Sequence, residues 1–281
     1  MKDFNNKVAA ITGAGSGIGQ QLAILLAKQG AHLSLSDINQ QGLDKTVELL
    51  SAYPVKVTTA TLDVSDRAAI KAWADDTVAA HGKVNLIFNN AGVALGSTVE
   101  GMSYDELEWV MGINFWGVVY GTKEFLPHLK ASGDEHVINI SSLFGLTAQP
   151  TQSAYNASKF AVRGFTEALR QELDIQQNGV SATCVHPGGI RTNIANAARM
   201  NDSIRSLGMN PAKASKEFNK LLRTPPEEAA RQILQAVRQN DRRLLIGNDA
   251  KVVELMQRLL PSGYQKIMVF GSKLQQRKAK Q

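Results

Sequence analysis

Thr12-Gly13-Ala14-Gly15-Ser16-Gly17-Ile18-Gly19 closes the apolar run Val8–Thr12 and opens a stretch of helical periodicity, Gly17–Gln29. Strand, glycine turn and helix in that order suit the docking of a dinucleotide pyrophosphate. Glycines let the backbone bend sharply and approach the phosphates, and the helix N-terminus offers unpaired N–H groups and a positive dipole end. The spacing is T-G-x-x-x-G-x-G, because Ile18 stands where G-x-G-x-x-G needs glycine. Gly13, Gly17 and Gly19 are its fixed points, and Gly15, Ser16 and Ile18 share the turn.

Outward from that turn, β-rich runs alternate with helical patterns, the signature of βαβ units and a parallel sheet. Seven strands are predicted: Val8–Thr12, Ala31–Ser36, Val55–Ala60, Val84–Phe88, Val137–Ile140, Val180–Val185 and Arg243–Ile246. Helices are predicted over Gly17–Gln29, Gln40–Ala52, Asp66–His81, Tyr104–Lys130 (one helix or two) and Ser153–Gln177. The fold class is therefore α/β, a Rossmann-type doubly wound sheet with helices on both faces and extra C-terminal helices. We expect a single domain over 1–281. Residues 193–223 are weakly amphipathic and broken by Gly208, Asn210 and Pro211, and are predicted to form a mobile substrate lid. Pro225 and Pro226 restart a helix through Gln239. Two further helices, 249–260 and 263–276, flank Pro261, and residues 277–281 are expected to fray.

The chain of 281 residues is 43% hydrophobic and 20% charged, an ordinary globular balance that argues against disorder. Cys184, the lone cysteine, excludes an intramolecular disulfide and reads as a buried thiol in Val180–Val185. With no apolar signal region in Met1–Lys7 and no apolar run near the ~18 residues that span a bilayer, a cytoplasmic protein is expected. The five histidines, His32, His81, His128, His136 and His186, show no ligand spacing, so no metal site is expected. His186 reads as a packed strand-end residue, and Trp116 with the aromatics around it reads as core. The net charge of +6 is uneven. Residues 199–281 hold 17 Lys/Arg against 7 Asp/Glu, while residues 1–198 hold 14 against 18. A basic C-terminal region is usually a solvated helical face, and it also suits an anionic substrate or a membrane surface.

Asp37, at the end of the second strand, can accept bonds from adenosine ribose hydroxyls and would repel a 2′-phosphate. No Lys or Arg stands beside it, so NAD(H) is expected over NADP(H). Its alternative reading is a helix N-cap. Tyr155 and Lys159 lie at i and i+4 of a predicted helix and share a face. A nearby ammonium lowers a phenol pKa from about 10, which makes the pair a proton shuttle for C–OH/C=O interconversion.

These motifs, in order over residues 12–192, resemble the short-chain dehydrogenase/reductase family. The resemblance implies further roles. Asp63-Val64 would hold the adenine, and Asn90-Ala91-Gly92 would line the cofactor site, although asparagines there also tie strands together. The family's serine, 13 positions before the tyrosine, selects Ser142 over Ser141, and its helix asparagine matches Asn114. The implied tetrad is Asn114, Ser142, Tyr155 and Lys159. Pro187, Gly188, Ile190 and Thr192 would seat the nicotinamide. Ser142 would position the substrate oxygen, and Tyr155 would exchange the proton. Lys159 would hold the nicotinamide ribose, and Asn114 would anchor a relay water, with direct hydride transfer between substrate and nicotinamide. The family's usual homotetramers or homodimers imply an interface along 104–130 and 153–177.

Leu95, Leu143, Phe144 and Met200 are expected to line the substrate side, which favours a lipophilic secondary alcohol or ketone. The basic C-terminal region favours instead an acyl-carrier or coenzyme A-linked anion. A non-catalytic NAD-binding redox sensor and a nucleic-acid or membrane scaffold are the other readings. The Tyr-Lys pair argues against the sensor, and the lack of a nucleic-acid motif argues against the scaffold.

Overall fold

A computed structural model describes residues 1, 3–220 and 222–279. The seven predicted strands are present: β1 (Val8–Thr12), β2 (His32–Asp37), β3 (Val57–Thr61), β4 (Leu86–Asn89), β6 (Glu135–Ile140), β7 (Val180–Pro187) and β9 (Arg243–Ile246). Every pairing among them is parallel, in the order β3-β2-β1-β4-β6-β7-β9. The chain builds outward from β1 on one side and restarts at β4 on the other. The ends of β1 and β4 therefore form the topological switch point where open α/β sheets bind ligands.

Alternation along each strand sorts side chains to the two faces. Ala9, Ile11, Leu86 and Phe88 join one buried cluster, and Ala10 and Ile87 join the other. The helices α1 (Gly17–Ala27), α2 (Gln40–Leu50) and α8 (Pro226–Gln239) cover the first face through Leu22, Leu43 and Ile233. The helices α3 (Arg67–His81), α5 (Gly117–Ser132) and α6 (Ser153–Gln176) cover the second through Trp73, Phe125 and Leu169. Local chemistry sets several boundaries. Asn39 caps α2 and Asp66 caps α3, while left-handed Gly82 ends α3. Ser103 and Glu106 form a reciprocal capping box at the start of α4 (Tyr104–Met111).

The stretch 104–130 is two helices joined by a π-helical turn, Gly112–Trp116. The segment 193–223 holds more than helix. Two-residue strands β5 (Leu95–Gly96) and β8 (Arg199–Met200) pair in parallel, and short 3₁₀ turns precede α7 (Pro211–Asn219). The C-terminal helices are α9 (Asn248–Leu259) and α10 (Tyr264–Ala279). Lys280 and Gln281, part of the end expected to fray, lie outside the described residues, and Arg277–Ala279 belong to α10.

Trp116 corrects the core assignment. It is 47% exposed and stacks on Tyr120, because the π turn carries it to the outer surface while Asn114, two residues earlier, is buried. Among the described residues no helix is long and apolar enough to cross a membrane.

Candidate active site

The glycine turn reverses between β1 and α1 through positive φ at Gly13 and Gly17. At Gly19 the constraint is space, since a Cβ would lie 2.2 Å from the Gly13 carbonyl oxygen. Ser16 occupies the N-cap without a side-chain capping bond, so α1's first N–H groups keep their hydrogen-bonding capacity for a ligand. Gly13, Ser16, Gly17 and Ile18 line the main cavity. A bare glycine rim at a helix N-terminus fits a pyrophosphate.

Asp37 holds this turn directly. Its Oδ2 accepts the Gly15 N–H at 2.8 Å and its Oδ1 accepts the Asn39 N–H at 2.9 Å. Asn39, not Asp37, is the α2 N-cap, which corrects the alternative reading of Asp37. Thr12 ties the two central strand ends together. Its Oγ1 accepts from Asn90 N at 2.9 Å and Ala91 N at 3.0 Å, while Asn90 Nδ2 donates to the Thr12 carbonyl at 2.9 Å. Asp63 Oδ1 accepts from both the N–H and the hydroxyl of Ser65. Val64 is buried against Gly117, where a Cβ would reach within 2.8 Å of Val64 Cγ2. Asp63, Val64, Asn90, Ala91 and Gly92 all line the cavity.

The four residues of the implied tetrad are brought to one region by three elements. Ser142 follows β6 and caps a 3₁₀ turn, its Oγ accepting the Phe144 N–H at 3.1 Å. Tyr155 lies in the first turn of α6, where Ser142 acts to lower its phenol pKa. The neighbouring Ser141 donates to the Lys159 carbonyl at 2.8 Å, so its hydroxyl is committed to the backbone. Lys159 Nζ lies 5.7 Å from the Tyr155 ring centroid and donates to the Ile140 carbonyl at 3.0 Å. Burial lowers the Lys159 ammonium to about 8.

The tyrosine departs from expectation. Burial raises its phenol above the ordinary 10.0, and Ser142 pulls in the opposite direction. The lowering expected from Lys159 does not emerge: burial and Ser142 are what act on the phenol, and the ammonium's hydrogen bond goes to the Ile140 carbonyl. Asn114 sits buried in the π turn, a geometry found often at functional sites. Its Oδ1 accepts the Val93 N–H at 2.8 Å, and its Nδ2 donates to Val93 O at 2.9 Å and to Ser158 Oγ at 3.2 Å. The side chain thus clamps the strand-four loop to α6, with both amide hydrogens used.

After β7, Gly188 N donates to Ile246 O at 2.9 Å and Arg191 N donates to Thr224 O at 2.9 Å. Ile190 bridges Thr224, and the Thr192 methyl faces Gly17, where a Cβ would stand 3.0 Å away. Thr192 therefore meets the glycine turn at Gly17, and Pro187, Gly188 and Ile190 line the same cavity. Sequence reasoning missed Asp249 in the first turn of α9. Its Oδ2 accepts the Gly189 N–H at 2.6 Å, and a Cβ on Gly188 would strike its carboxylate. The close pairing of Gly188-Gly189 with an acid at a helix start was the available signal.

One cavity of about 2220 Å³ is lined by Ser142, Tyr155 and Lys159 together with the glycine turn and the segment after β7, while Gly15, Gly19 and the fully buried Asn114 are not part of its lining. Its far end is apolar, with Leu143, Phe144, Met200, Ile204 and Met209. Phe144 meets Tyr155 edge to face at 6.1 Å. Leu95 does not line it: the side chain is buried with Val110 and Ala154, because β5 turns it inward. His186 and Cys184 are fully buried, the thiol pushed up to about 12 by burial. Among the described residues, no three His, Cys, Asp or Glu side chains are grouped to hold a metal ion.

A family model for short chain dehydrogenases matches residues 7–203. The chain belongs to the short-chain dehydrogenase family. It is an oxidoreductase of the kind acting on CH–OH donors. A putative oxidoreductase, SadH, of Mycobacterium tuberculosis is 47% identical over 272 residues, covering 96% of this chain and 97% of that protein. A cyclohexanol dehydrogenase of Acinetobacter is 37% identical over 191 residues, 67% of this chain and 75% of its own. A short-chain dehydrogenase from Burkholderia phymatum, crystallised in complex with NAD, superposes with a TM-score of 0.85 at 30% identity, covering 92% of this chain and 95% of that one. In this short-chain dehydrogenase the family match ends at residue 203, so α7 to α10 are built beyond it.

Proposed function

We propose that this chain is an NAD(H)-dependent oxidoreductase that interconverts a lipophilic secondary alcohol with its ketone or aldehyde. The observation that carries this reading is the placement of Tyr155 with Ser142 and buried Lys159, whose Nζ is 5.7 Å from the Tyr155 ring centroid, in the same cavity as the bare glycine turn. The NAD complex of the Burkholderia relative and the name of the Acinetobacter relative support cofactor and substrate class. Asp37 supports NAD(H) over NADP(H), because its carboxylate stands at the turn with no cation paired to it among the described residues. The dinucleotide, when bound, supplies or accepts the hydride.

The chain's residues divide the remaining work. Gly13, Ser16, Gly17 and Ile18 face the pyrophosphate with the N-terminus of α1, while Gly15, its N–H bonded to Asp37, and Gly19, packed against the Gly13 carbonyl, shape the turn behind them. Asp37 takes the ribose hydroxyls, Asp63 and Val64 border the adenine, and Asn90, Ala91 and Gly92 floor the site. Pro187, Gly188, Ile190 and Thr192 seat the nicotinamide end. Ser142 orients the substrate oxygen toward Tyr155. The raised phenol pKa suits Tyr155 to donating a proton in reduction and accepting one at higher pH in oxidation. Lys159 keeps its charge below about pH 8 and orients both the tyrosine face and the ribose. Asn114 fixes the loop at Val93, and its unused oxygen lone pair is free to hold a relay water.

We take residues 1–281 as one nucleotide-binding domain with 193–223 as the substrate lid. Exposed Trp116, and Phe160 on α6, support self-association into a homodimer or homotetramer along α5 and α6. The single reduced cysteine supports a cytoplasmic setting. A second reading has one observation in its favour. Lys213 and Lys273 line the cavity without an ion pair among the described residues, which suits an anionic acyl carrier or coenzyme A thioester. Equilibrium titration with NADH and NADPH, followed by turnover of cyclohexanol-like alcohols and ketones at rising salt, tests both. Tight NADH binding and salt-independent turnover support the first reading. Loss of turnover with salt supports the second, and absence of binding to either cofactor removes both.

A further inference from the structure

Helices α9 and α10 carry a pattern that the chemistry of the cavity does not use. Lys251-Val252 recurs seven residues later as Arg258-Leu259, and Lys266-Ile267 recurs seven residues later as Lys273-Leu274. Seven residues are close to two helical turns, so each helix bears an apolar stripe edged by a basic one. Val252, Leu255 and Leu259 are exposed on α9, as are Ile267, Phe270 and Leu274 on α10. Leu259 is 70% exposed and Phe270 65%, far beyond a solvated helix's needs. Of the two acids of these helices, Asp249 accepts from Gly189, and Glu254 pairs with Arg243 and with Arg258 of the α9 row itself, which leaves Lys251, Lys266 and Lys273 as the basic residues without an ion pair among the described residues.

We propose that α9 and α10 dock this protein on an anionic lipid surface, with the apolar stripes at the acyl boundary and the basic residues among the headgroups. A helix that lies in the interface has this composition, large apolar side chains next to Lys and Arg whose stems cover the boundary. Neither helix is long and apolar enough to span, so the mode is peripheral. A second copy of the chain is the competing occupant. A two-fold interface there would set like-charged basic rows near one another, which opposes pairing, whereas an anionic headgroup layer complements them. The position also has a use. Val269, Ser272 and Lys273 of α10 line the cavity, so a docked protein holds that wall of its cavity beside the bilayer. The docking itself does not depend on what reacts inside.

The test is co-sedimentation of the full chain with phosphatidylcholine vesicles, alone or mixed with phosphatidylglycerol. Binding to the mixed vesicles, weakened by salt, is expected. The Lys251→Glu, Lys266→Glu double variant should weaken that binding by roughly 30-fold or more, at roughly fivefold per basic residue removed. The Leu259→Gln, Phe270→Gln double variant should weaken it at least about tenfold. Thermal melts establish that each variant is folded, and where one is not, the other decides. Absence of binding to the mixed vesicles overturns the proposal, as does equal binding to phosphatidylcholine alone. A Leu259→Gln, Phe270→Gln protein that binds unchanged also overturns it. So does one that falls to a smaller assembly by light scattering while the parent protein ignores vesicles, since a second copy would then cover the face.

Discussion

His186 Nδ1 lies 2.9 Å from the main-chain oxygen of Ser142. A carbonyl only accepts, so the ring carries its proton on Nδ1 and leaves Nε2 as acceptor for the Cys184 thiol at 3.4 Å. The fully buried imidazole thus props the backbone at Ser142, and burial lowers its pKa to about 4.

Acid should therefore weaken the fold. His136, pushed to about 3 by burial, and His186, at about 4, are neutral in the folded chain, while the unfolded chain titrates them near 6.5. Their stabilisation is complete above pH 6.5 and is lost as pH falls toward those values. Glu135, raised to about 7 by burial, works the other way, its contribution present below 4.5 and lost as pH rises through 7. Between pH 6.5 and 4.5 these three groups alone take up a net one proton on unfolding, about 1.4 kcal/mol of stability lost per pH unit of acidification, and half-buried His81, also lowered by burial, adds in the same direction. Urea denaturation across that range measures it. A flat profile would mean that the histidines are already hydrated.

Asp37 has two jobs, and removing it should show both. Asp37→Ala frees the Gly15 N–H and removes the carboxylate proposed to take the ribose hydroxyls. NADH affinity should fall by roughly 10- to 100-fold, the cost of a charge-assisted bond, while NADPH affinity changes little or improves. Fluorescence titration of the two cofactors distinguishes this from a general loss of binding.

Thr12 is the test of the strand clamp. Thr12→Val leaves the Asn90 and Ala91 N–H groups without their shared acceptor in a buried setting. A loss of about 2–4 kcal/mol is expected, and Thr12→Ser should recover most of it. The denaturation midpoints of the three proteins give the comparison.

The glycine turn and the seven strands were legible because glycine spacing and short β-rich runs are local signals. The shared helix face of Tyr155 and Lys159 was legible through spacing, whereas Ser142, two residues past β6, was selected only through the family resemblance. What escaped was long-range or shape-dependent. β5 and β8 are two residues each and pair across about a hundred positions, so they carry no periodicity. Trp116 has the composition of core, but the π turn at Asn114 rotates it outward. Leu95 has the chemistry of a pocket wall, but its strand faces it away. The direction of the Tyr155 shift depends on how much water burial removes, which residue spacing does not report.

A raised phenol pKa also separates the two reaction directions. Ketone reduction needs Tyr155 protonated and should hold its rate across neutral pH. Alcohol oxidation needs the proton accepted and should rise with pH through 8 to 9 and beyond. Initial rates in both directions on one substrate pair check this. Parallel profiles would assign the proton to another group.

The most direct test of the central claim is Tyr155→Phe, assayed for NADH binding and for turnover side by side. The predicted result is cofactor affinity within about twofold of the parent protein and turnover reduced by at least about 10²-fold, the size of a lost general acid–base step. Turnover that survives with NADH affinity intact would contradict it, and would remove Tyr155 from the chemistry.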